Sequence, residues 1–287
     1  MDETSVPYGF GQARGNVTAS RVSKTAVAQV SRSELRGAVT HVAFATHDSA
    51  VQARLPQVII GNTRKFTPGL LAAVMPQKPA NVVLIRQKTA WNTTTLMLHI
   101  IEILGATMQN FPQYQAVLVL DTASCHTAPR VVRAASAQGI WFSFIPAKLT
   151  FLLQPLDTHI FASYKVVLKK MYLQARSTGH GTVTSAAWLE VLFHMCTKFL
   201  RGRKWKAAFE QTGMLGDRSR DLSKDIQMNF PGAVGFNAPP VLPSCAQLQC
   251  LMPRGTSLPY VDLWWKPEGR GRRLALVWGG ARVRARL

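Results

Sequence analysis

Apolar and polar positions along the chain predict strands and helices in alternation. Short apolar or β-branched runs predict strands at residues 39–46, 58–60, 81–85, 116–120 and 140–145. Apolar stripes with helical spacing predict helices at residues 93–108, 129–137, 158–176, 185–200 and 204–211. Strands that alternate with helices are typical of an α/β protein, in which helices cover a mixed or parallel sheet.

The run AVLVL at residues 116–120 is wholly apolar and ends on Asp121. A continuous apolar strand is buried on both faces, which favours a central position in a sheet. The predicted helix and strand that follow it complete a βαβ unit, so we expect the two strands to be parallel and their crossover to be right-handed.

After about Gly216 the periodicity fades, and Pro, Gly and Ser become more frequent. Residues 264–287 carry seven Lys and Arg residues against Glu268 as the single acidic residue. We therefore predict a folded domain over residues 1–215 and a poorly ordered basic tail over residues 216–287.

The charge balance points to a polyanionic partner. The 287 residues include 34 Lys and Arg against 14 Asp and Glu, a net charge of +20, and nucleic acid is the commonest partner of so basic a chain. No apolar run approaches the roughly 18 residues of a membrane span, and the four cysteines lack the paired spacing of a zinc finger. We expect a soluble intracellular protein that binds DNA and no membrane. The candidate DNA-binding residues are Lys165, Lys169, Lys170, Arg201, Arg203 and Lys204.

Three carboxylates occupy positions where a catalytic or metal-binding site could form. Asp121 ends the most apolar strand, Asp157 follows the next strand by one loop, and Asp2 precedes a turn-like PYGFG segment. Functional groups in α/β sheets collect at the carboxyl ends of strands. Clustered carboxylates repel one another unless a cation lies between them, and oxygen ligands favour Mg²⁺ or Mn²⁺.

Structural roles remain open for the same residues. On position alone, a helix cap is as good an interpretation of Asp121 as catalysis, and for Asp157 it is the favoured one. Cys125 and His126 are expected to pack or to hydrogen-bond locally, since no partner has ligand spacing.

Three segments together resemble the catalytic domain of DDE-superfamily transposases, in particular the pogo, Tigger and jerky-like branch of the mariner group. They are MDETSV (residues 1–6), VLVLDTASCHT (residues 117–127) and FIPAKLTFLLQPLDTHIFASYK (residues 144–165). The resemblance implies a ribonuclease H-like mixed sheet with flanking helices. It also implies Mg²⁺-dependent or Mn²⁺-dependent cleavage and joining of DNA strands by in-line attack at phosphorus, with two ions.

By the same resemblance, Asp2, Asp121 and Asp157 would be the catalytic metal ligands, and His126 falls on the family's motif histidine. A nuclear location and a homodimer, as in transposases, are further expectations. Thr122 stands where the family commonly has Asn, and Lys148 and Leu149 stand where it has Asn-Thr.

The chain starts one residue before Asp2, so a truncated first strand and weak catalysis are expected, and the family's helix-turn-helix region is absent from this sequence. Two alternatives to a DNA endonuclease therefore stay open. One is a non-catalytic, basic nucleic-acid-binding protein derived from a transposase. The other is an unrelated α/β enzyme in which the aspartates are caps.

Overall fold

The computed structural model describes residues 1–7, 39–146, 149–179, 183–215 and 222–229, and the backbone alone of residues 275–278 and 281–284. The strands are β1 Asp2–Val6, β2 Val39–Ala43, β3 Gln57–Asn62, β4 Val82–Gln87, β5 Ala116–Leu120, β6 Ile140–Phe144, β7 Ala275–Trp278 and β8 Ala281–Arg284. Each strand predicted between residues 39 and 145 is confirmed, with ends that shift by up to a few residues.

The helices are α1 Ser49–Gln52, α2 Pro68–Val74, α3 Thr94–Met108, α4 Ser124–Thr127, α5 Pro129–Ala137, α6 Thr150–Leu153, α7 Phe161–Thr178, α8 Ser185–His194, α9 Lys206–Gln211 and α10 Ser223–Asn229. A 3-10 turn, Met75–Gln77, follows α2. Two wider π-helical turns, Leu156–Ile160 and Met195–Leu200, precede α7 and follow α8. The predicted helices over residues 158–176 and 185–200 are thus each part α and part π.

Strands β1 to β4 form one sheet in the order β1-β2-β3-β4, in which the first two pairings are antiparallel and β3 pairs with β4 in parallel. Strands β5 and β6 form a parallel pair with Ala116 opposite Ile140, as the βαβ prediction requires. Gly139, at φ +69°, sits in the left-handed region between α5 and β6, where a side chain would be strained. A hydrogen bond of 3.1 Å from the Met1 nitrogen to the Val119 carbonyl oxygen joins the start of β1 to β5.

Helices cover the β1–β4 sheet on both faces, so alternate strand residues enter two different cores. Val39, Ala43 and Ile59 pack in one cluster with residues of α7 and α8. Val42, Val58 and Ile60 pack in the other with residues of α3 and α5, and Leu118 and Leu120 of β5 join them. Each fully buried aliphatic side chain contributes about 1.5–3 kcal/mol, so the three layers hold the strand ends in fixed positions.

A part of the region assigned to the basic tail packs on the domain. Leu222 and Ile226 of the α10 segment are buried against Ile145, Leu149 and Leu153. Strands β7 and β8 pair in an antiparallel manner. The rest of residues 216–287, together with Lys148, lies outside the described residues.

A buried polar network lies beneath the sheet and joins four elements. The His41 Nδ1 atom lies 2.9 Å from the Tyr164 hydroxyl, and Nε2 lies 3.2 Å from Oε1 of Gln57. Gln57 in turn pairs with the backbone of Phe44 in both directions, at 3.2 and 2.9 Å. Cys196 Sγ lies 3.8 Å from His41 Nε2. Burial lowers the pKa of His41 from its ordinary value of 6.5 to about 4.

This burial predicts a loss of stability in mild acid. Above pH 6.5 His41 is neutral in both states, whereas between pH 6.5 and about 4 the unfolded chain takes up a proton that the folded chain rejects. The loss reaches roughly 3 kcal/mol below pH 4. Thermal unfolding from pH 7.5 to 4.5 should show a shallower decline for His41→Gln than for the unchanged chain. His99→Gln, at an exposed histidine of α3, should keep the full decline, and an equal decline in all three proteins would contradict this account.

Candidate functional site

Strand β1 presents carboxylates on both of its sides. Asp2, Thr4 and Val6 are buried on the side that faces α7, and Asp2 is 8% exposed. Glu3 points the other way, because successive side chains of a strand alternate, and it contacts Asn92 before α3 and His126 of α4. The dipeptide Asp2-Glu3 therefore supplies two separate sets of contacts from one strand.

The QPLD segment joins Asp157 to β1. The Gln154 side chain is buried and donates from Nε2 to the carbonyl oxygen of Met1 at 3.3 Å. Asp157 lies one turn further on, inside the π-helical turn Leu156–Ile160. The residue that precedes this turn is Pro155, and no side chain caps it. The helix-cap interpretation of Asp157 is therefore wrong.

Asp2 and Asp157 interact directly. The pKa of Asp2 is raised from 3.8 to about 7, chiefly by burial and secondly by the neighbouring Asp157 carboxylate, which acts through its charge and through a hydrogen bond between the two carboxyl groups. The backbone nitrogen of Glu3 opposes the shift by donating to Asp2 Oδ1 at 2.8 Å. Near neutral pH, Asp2 thus keeps a proton that a bound cation could replace.

Asp121 follows β5 and does not cap α4, whose preceding residue is Ala123 and whose first turn has no side-chain cap. Its Oδ1 atom accepts from the backbone nitrogen of Ala123 at 3.1 Å and from His126 Nδ1 at 2.6 Å. The hydrogen bond with His126 holds the pKa of Asp121 below its usual value. Both of these hydrogen bonds end on Oδ1, which leaves Oδ2 for a metal ion.

His126 lies between two carboxylates. Its Nδ1 atom faces Asp121, its Nε2 atom lies 3.1 Å from Oε1 of Glu3, and the residue is 1% exposed. Burial alone would lower the pKa of His126, but the hydrogen bonds with Asp121 and Glu3 raise it to about 9. His126 is therefore a charged hydrogen-bond donor to both carboxylates at neutral pH.

The three aspartates come from distant segments to one region around Met1. Burial lowers the pKa of the Met1 amino group to about 6, and the nearby Asp2 and Asp121 carboxylates oppose that shift. Among the described residues, one group of three potential metal ligands brings its ligand atoms within 4.8 Å of one another, and it consists of Glu3, Cys125 and His126. The aspartates lie further apart than the members of that group.

The predicted DNA-binding residues lie on exposed surface in two segments. Lys165, Lys169 and Lys170 are exposed on α7. Arg201, Arg203 and Lys204 are exposed after the π-helical turn Met195–Leu200. The Arg203 guanidinium stacks on the Phe199 ring, 4.2 Å from its centre. No helix of the described residues is long and apolar enough to cross a membrane.

Sequence reasoning missed three residues that organise the site: Glu3, Asn92 and Gln154. Each makes its contact across a long sequence separation, from 89 residues for Asn92 and Glu3 to 153 for Gln154 and Met1. The one local signal was strand alternation, which places Glu3 opposite Asp2.

Comparison with protein families assigns the chain to a superfamily. The family described as DDE superfamily endonuclease matches residues 47–198, which is more than half of the chain. The chain belongs to this family. Asp121, His126 and Asp157 lie within the matched segment, and nucleases of this superfamily generally use divalent metal ions. No curated protein and no solved structure matches.

Proposed function

We propose that this chain is a transposase-derived endonuclease domain of the pogo, Tigger and jerky-like branch, which cleaves DNA with divalent metal ions held by Asp2, Asp121 and Asp157. The observation that carries the proposal is the contact of Asp157 with the buried Asp2 in the same region as Asp121. Two neighbouring carboxylates repel each other unless a charge partner offsets the repulsion, and here Asp2 is buried while Asp157 is exposed. The same proposal includes a nuclear location and a homodimer, as in transposases.

The strand arrangement supports a ribonuclease H-like sheet. Strands β1, β2 and β3 are consecutive and antiparallel, and β5 and β6 are parallel. The hydrogen bond from Met1 to Val119 lies where a parallel pairing of β1 with β5 would continue the first sheet into the second. In that arrangement Asp2 and Asp121 occupy neighbouring strands.

The residues present fit Mg²⁺ or Mn²⁺. All three side chains offer hard oxygen ligands, and the charge of Asp157 is one of the causes that raise the pKa of Asp2, a repulsion that a bound cation would offset. A pair of such ions supplies activation of the attacking water or hydroxyl and stabilisation of the leaving oxygen. The repulsion between Asp2 and Asp157 would decrease on binding, which favours a divalent cation over a single proton.

The chain itself contributes orientation. His126 and the Ala123 nitrogen hold Oδ1 of Asp121, so that Oδ2 is the oxygen left for a ligand. Gln154 fixes the segment that carries Asp157 to the backbone of Met1, directly before β1. Positioning of this kind is effective, because a displacement of about 1 Å can cost on the order of a hundredfold in rate. The exposed lysines of α7 would hold the phosphate backbone of the DNA.

A second candidate function is DNA binding without cleavage. The net charge of +20 favours it independently of the aspartates, because phosphate contacts alone give non-specific affinity. The two functions differ in one measurement, which is metal-dependent nicking of plasmid DNA.

Asp121→Asn and Asp157→Asn should each reduce Mn²⁺-dependent nicking of supercoiled plasmid by at least about a hundredfold. Asparagine keeps the Oδ1 acceptor of Asp121 but loses the charge that a cation needs, so the fold and DNA binding should persist. Glu102→Gln, at an exposed carboxylate of α3, is the matched control and should nick like the unchanged chain. If the unchanged chain binds plasmid and does not nick it with Mg²⁺ or Mn²⁺, the second function replaces the first.

Replacement of Lys165, Lys169 and Lys170 by glutamine should weaken binding to all DNA sequences about equally. Each lost phosphate contact reduces the slope of log K against log salt by about 0.9, so the slope should fall by up to about 2.7. Fluorescence anisotropy between 50 and 250 mM NaCl measures this slope. Arg130→Gln with Arg133→Gln, on the helix α5 of the opposite layer, is the control. An unchanged slope in the lysine variant would rule out α7 as the DNA-binding face.

Trp91 should stack on an unpaired base near the cleavage site. Its side chain is 76% exposed, the Gln87 side chain donates to its carbonyl oxygen, and its neighbour Asn92 contacts Glu3 at 2.6 Å. Trp91→Ala should weaken binding of single-stranded DNA by about 1–3 kcal/mol, or roughly 5- to 150-fold. Tyr114→Ala, at an exposed aromatic before β5, should leave this affinity unchanged. Equal effects of the two substitutions would contradict a stacking role.

A further inference from the structure

We infer that Glu3 is a positioning residue for the metal-binding carboxylate Asp121, on which it acts through His126, and that Asn92 holds Glu3 in place. The inference rests on the proposed function, since it assigns a role within the same site. It concerns the side of β1 opposite Asp2. Neither Glu3 nor Asn92 is among the proposed metal ligands.

Three short contacts connect these residues in series. Asn92 Nδ2 donates to Glu3 Oε1 at 2.6 Å, Glu3 Oε1 lies 3.1 Å from His126 Nε2, and His126 Nδ1 lies 2.6 Å from Asp121 Oδ1. The four residues belong to the start of α3, to β1, to α4 and to the end of β5. The series thus connects the strand of Asp2 to the strand end of Asp121 through side chains.

The rigidity of the imidazole ring transmits the position of Glu3 to Asp121. The two ring nitrogens lie on opposite sides of a planar ring, so an acceptor that holds Nε2 also fixes the direction of Nδ1. His126 is 1% exposed, so Nε2 has little access to water while Glu3 is in place. Loss of Glu3 would leave a buried ring nitrogen without its acceptor, and the orientation of Asp121 would no longer be fixed.

Asn92 fixes Glu3 because its own backbone is held at a helix start. The next residue, Thr93, caps α3, and its hydroxyl accepts from the Leu96 nitrogen at 3.3 Å. Asn92 lies directly before this cap and reaches Glu3 with a donor nitrogen. Partners of this kind, one step removed from a metal, commonly change metal affinity or activity by 10- to 100-fold when they are replaced.

A second metal site at Glu3, Cys125 and His126 is the competing explanation of the same cluster. The hydrogen bonds argue against it, because both nitrogens of His126 face carboxylates and Glu3 Oε1 already receives Asn92. Burial and the charge of Glu3 also raise the pKa of the Cys125 thiol, which disfavours the thiolate that a metal such as zinc requires.

Calorimetric titration of the full chain with Mn²⁺ tests the inference. Glu3→Ala should weaken Mn²⁺ binding at least about tenfold. Glu3→Gln should weaken Mn²⁺ binding less than Glu3→Ala, because the amide oxygen can still accept from His126 Nε2. It should not restore full affinity, because a neutral acceptor holds the charged ring more weakly than a carboxylate does. Asn92→Ala should also weaken it, and Glu102→Ala is the control that should not. DNA affinity in EDTA should stay the same in all variants, a result that general damage to the fold would not give.

Mn²⁺ affinity within twofold of the unchanged chain in both Glu3 variants would overturn the inference and leave the proposed function standing. A parallel loss of Mn²⁺ binding and of DNA binding in EDTA would overturn it in favour of a structural role. If Glu3→Ala does not fold, Glu3→Gln decides by the same criteria. Absence of Mn²⁺ binding by the unchanged chain would instead overturn the proposed function, and the inference with it.

Discussion

Repulsion among carboxylates gathered around the start of β1 is the constraint on which this site depends. The chain has 14 acidic residues against 34 basic ones, yet it places the exposed Asp157 beside the buried Asp2. The structure offsets the repulsion in two ways. Asp2 keeps a proton to about pH 7, whereas Asp121 remains ionised beside the charged His126. One carboxylate of the site is thus protonated below about pH 7, and another is held in its charged form.

The layers of the fold make this arrangement possible. Alternation along β1 sends Asp2 toward α7 and Glu3 toward α3 and α4, so that one dipeptide serves two sides of the sheet. Gln154 joins the segment of Asp157 to the backbone of Met1, directly before β1, and His126 joins Asp121 at the end of β5 to the Glu3 side chain of β1. The apolar cores on both faces of the sheet keep these elements fixed. Membership of the DDE superfamily endonucleases fits a site built in this way.

The strands between residues 39 and 145 could be predicted because each is a short apolar run between turn residues, and the helices because their apolar stripes are periodic. Asp121 and Asp157 could be located from the strands and loops that precede them. The π-helical turn that carries Asp157 leaves no such pattern in the sequence. Glu3, Asn92 and Gln154 were missed for a related reason, since their partners lie 89 to 153 residues away and only the folded chain brings them together. The cap interpretations failed because the local pattern suits a cap and tertiary contacts decided otherwise.

The most direct test of the central claim is to locate a bound metal ion. Anomalous diffraction from crystals of the full chain soaked with Mn²⁺ gives its position without reference to activity. We predict a peak bounded by the carboxylates of Asp2, Asp121 and Asp157, with His126 still hydrogen-bonded to Asp121. A peak among Glu3, Cys125 and His126, or the absence of a peak near the three aspartates, would contradict the account.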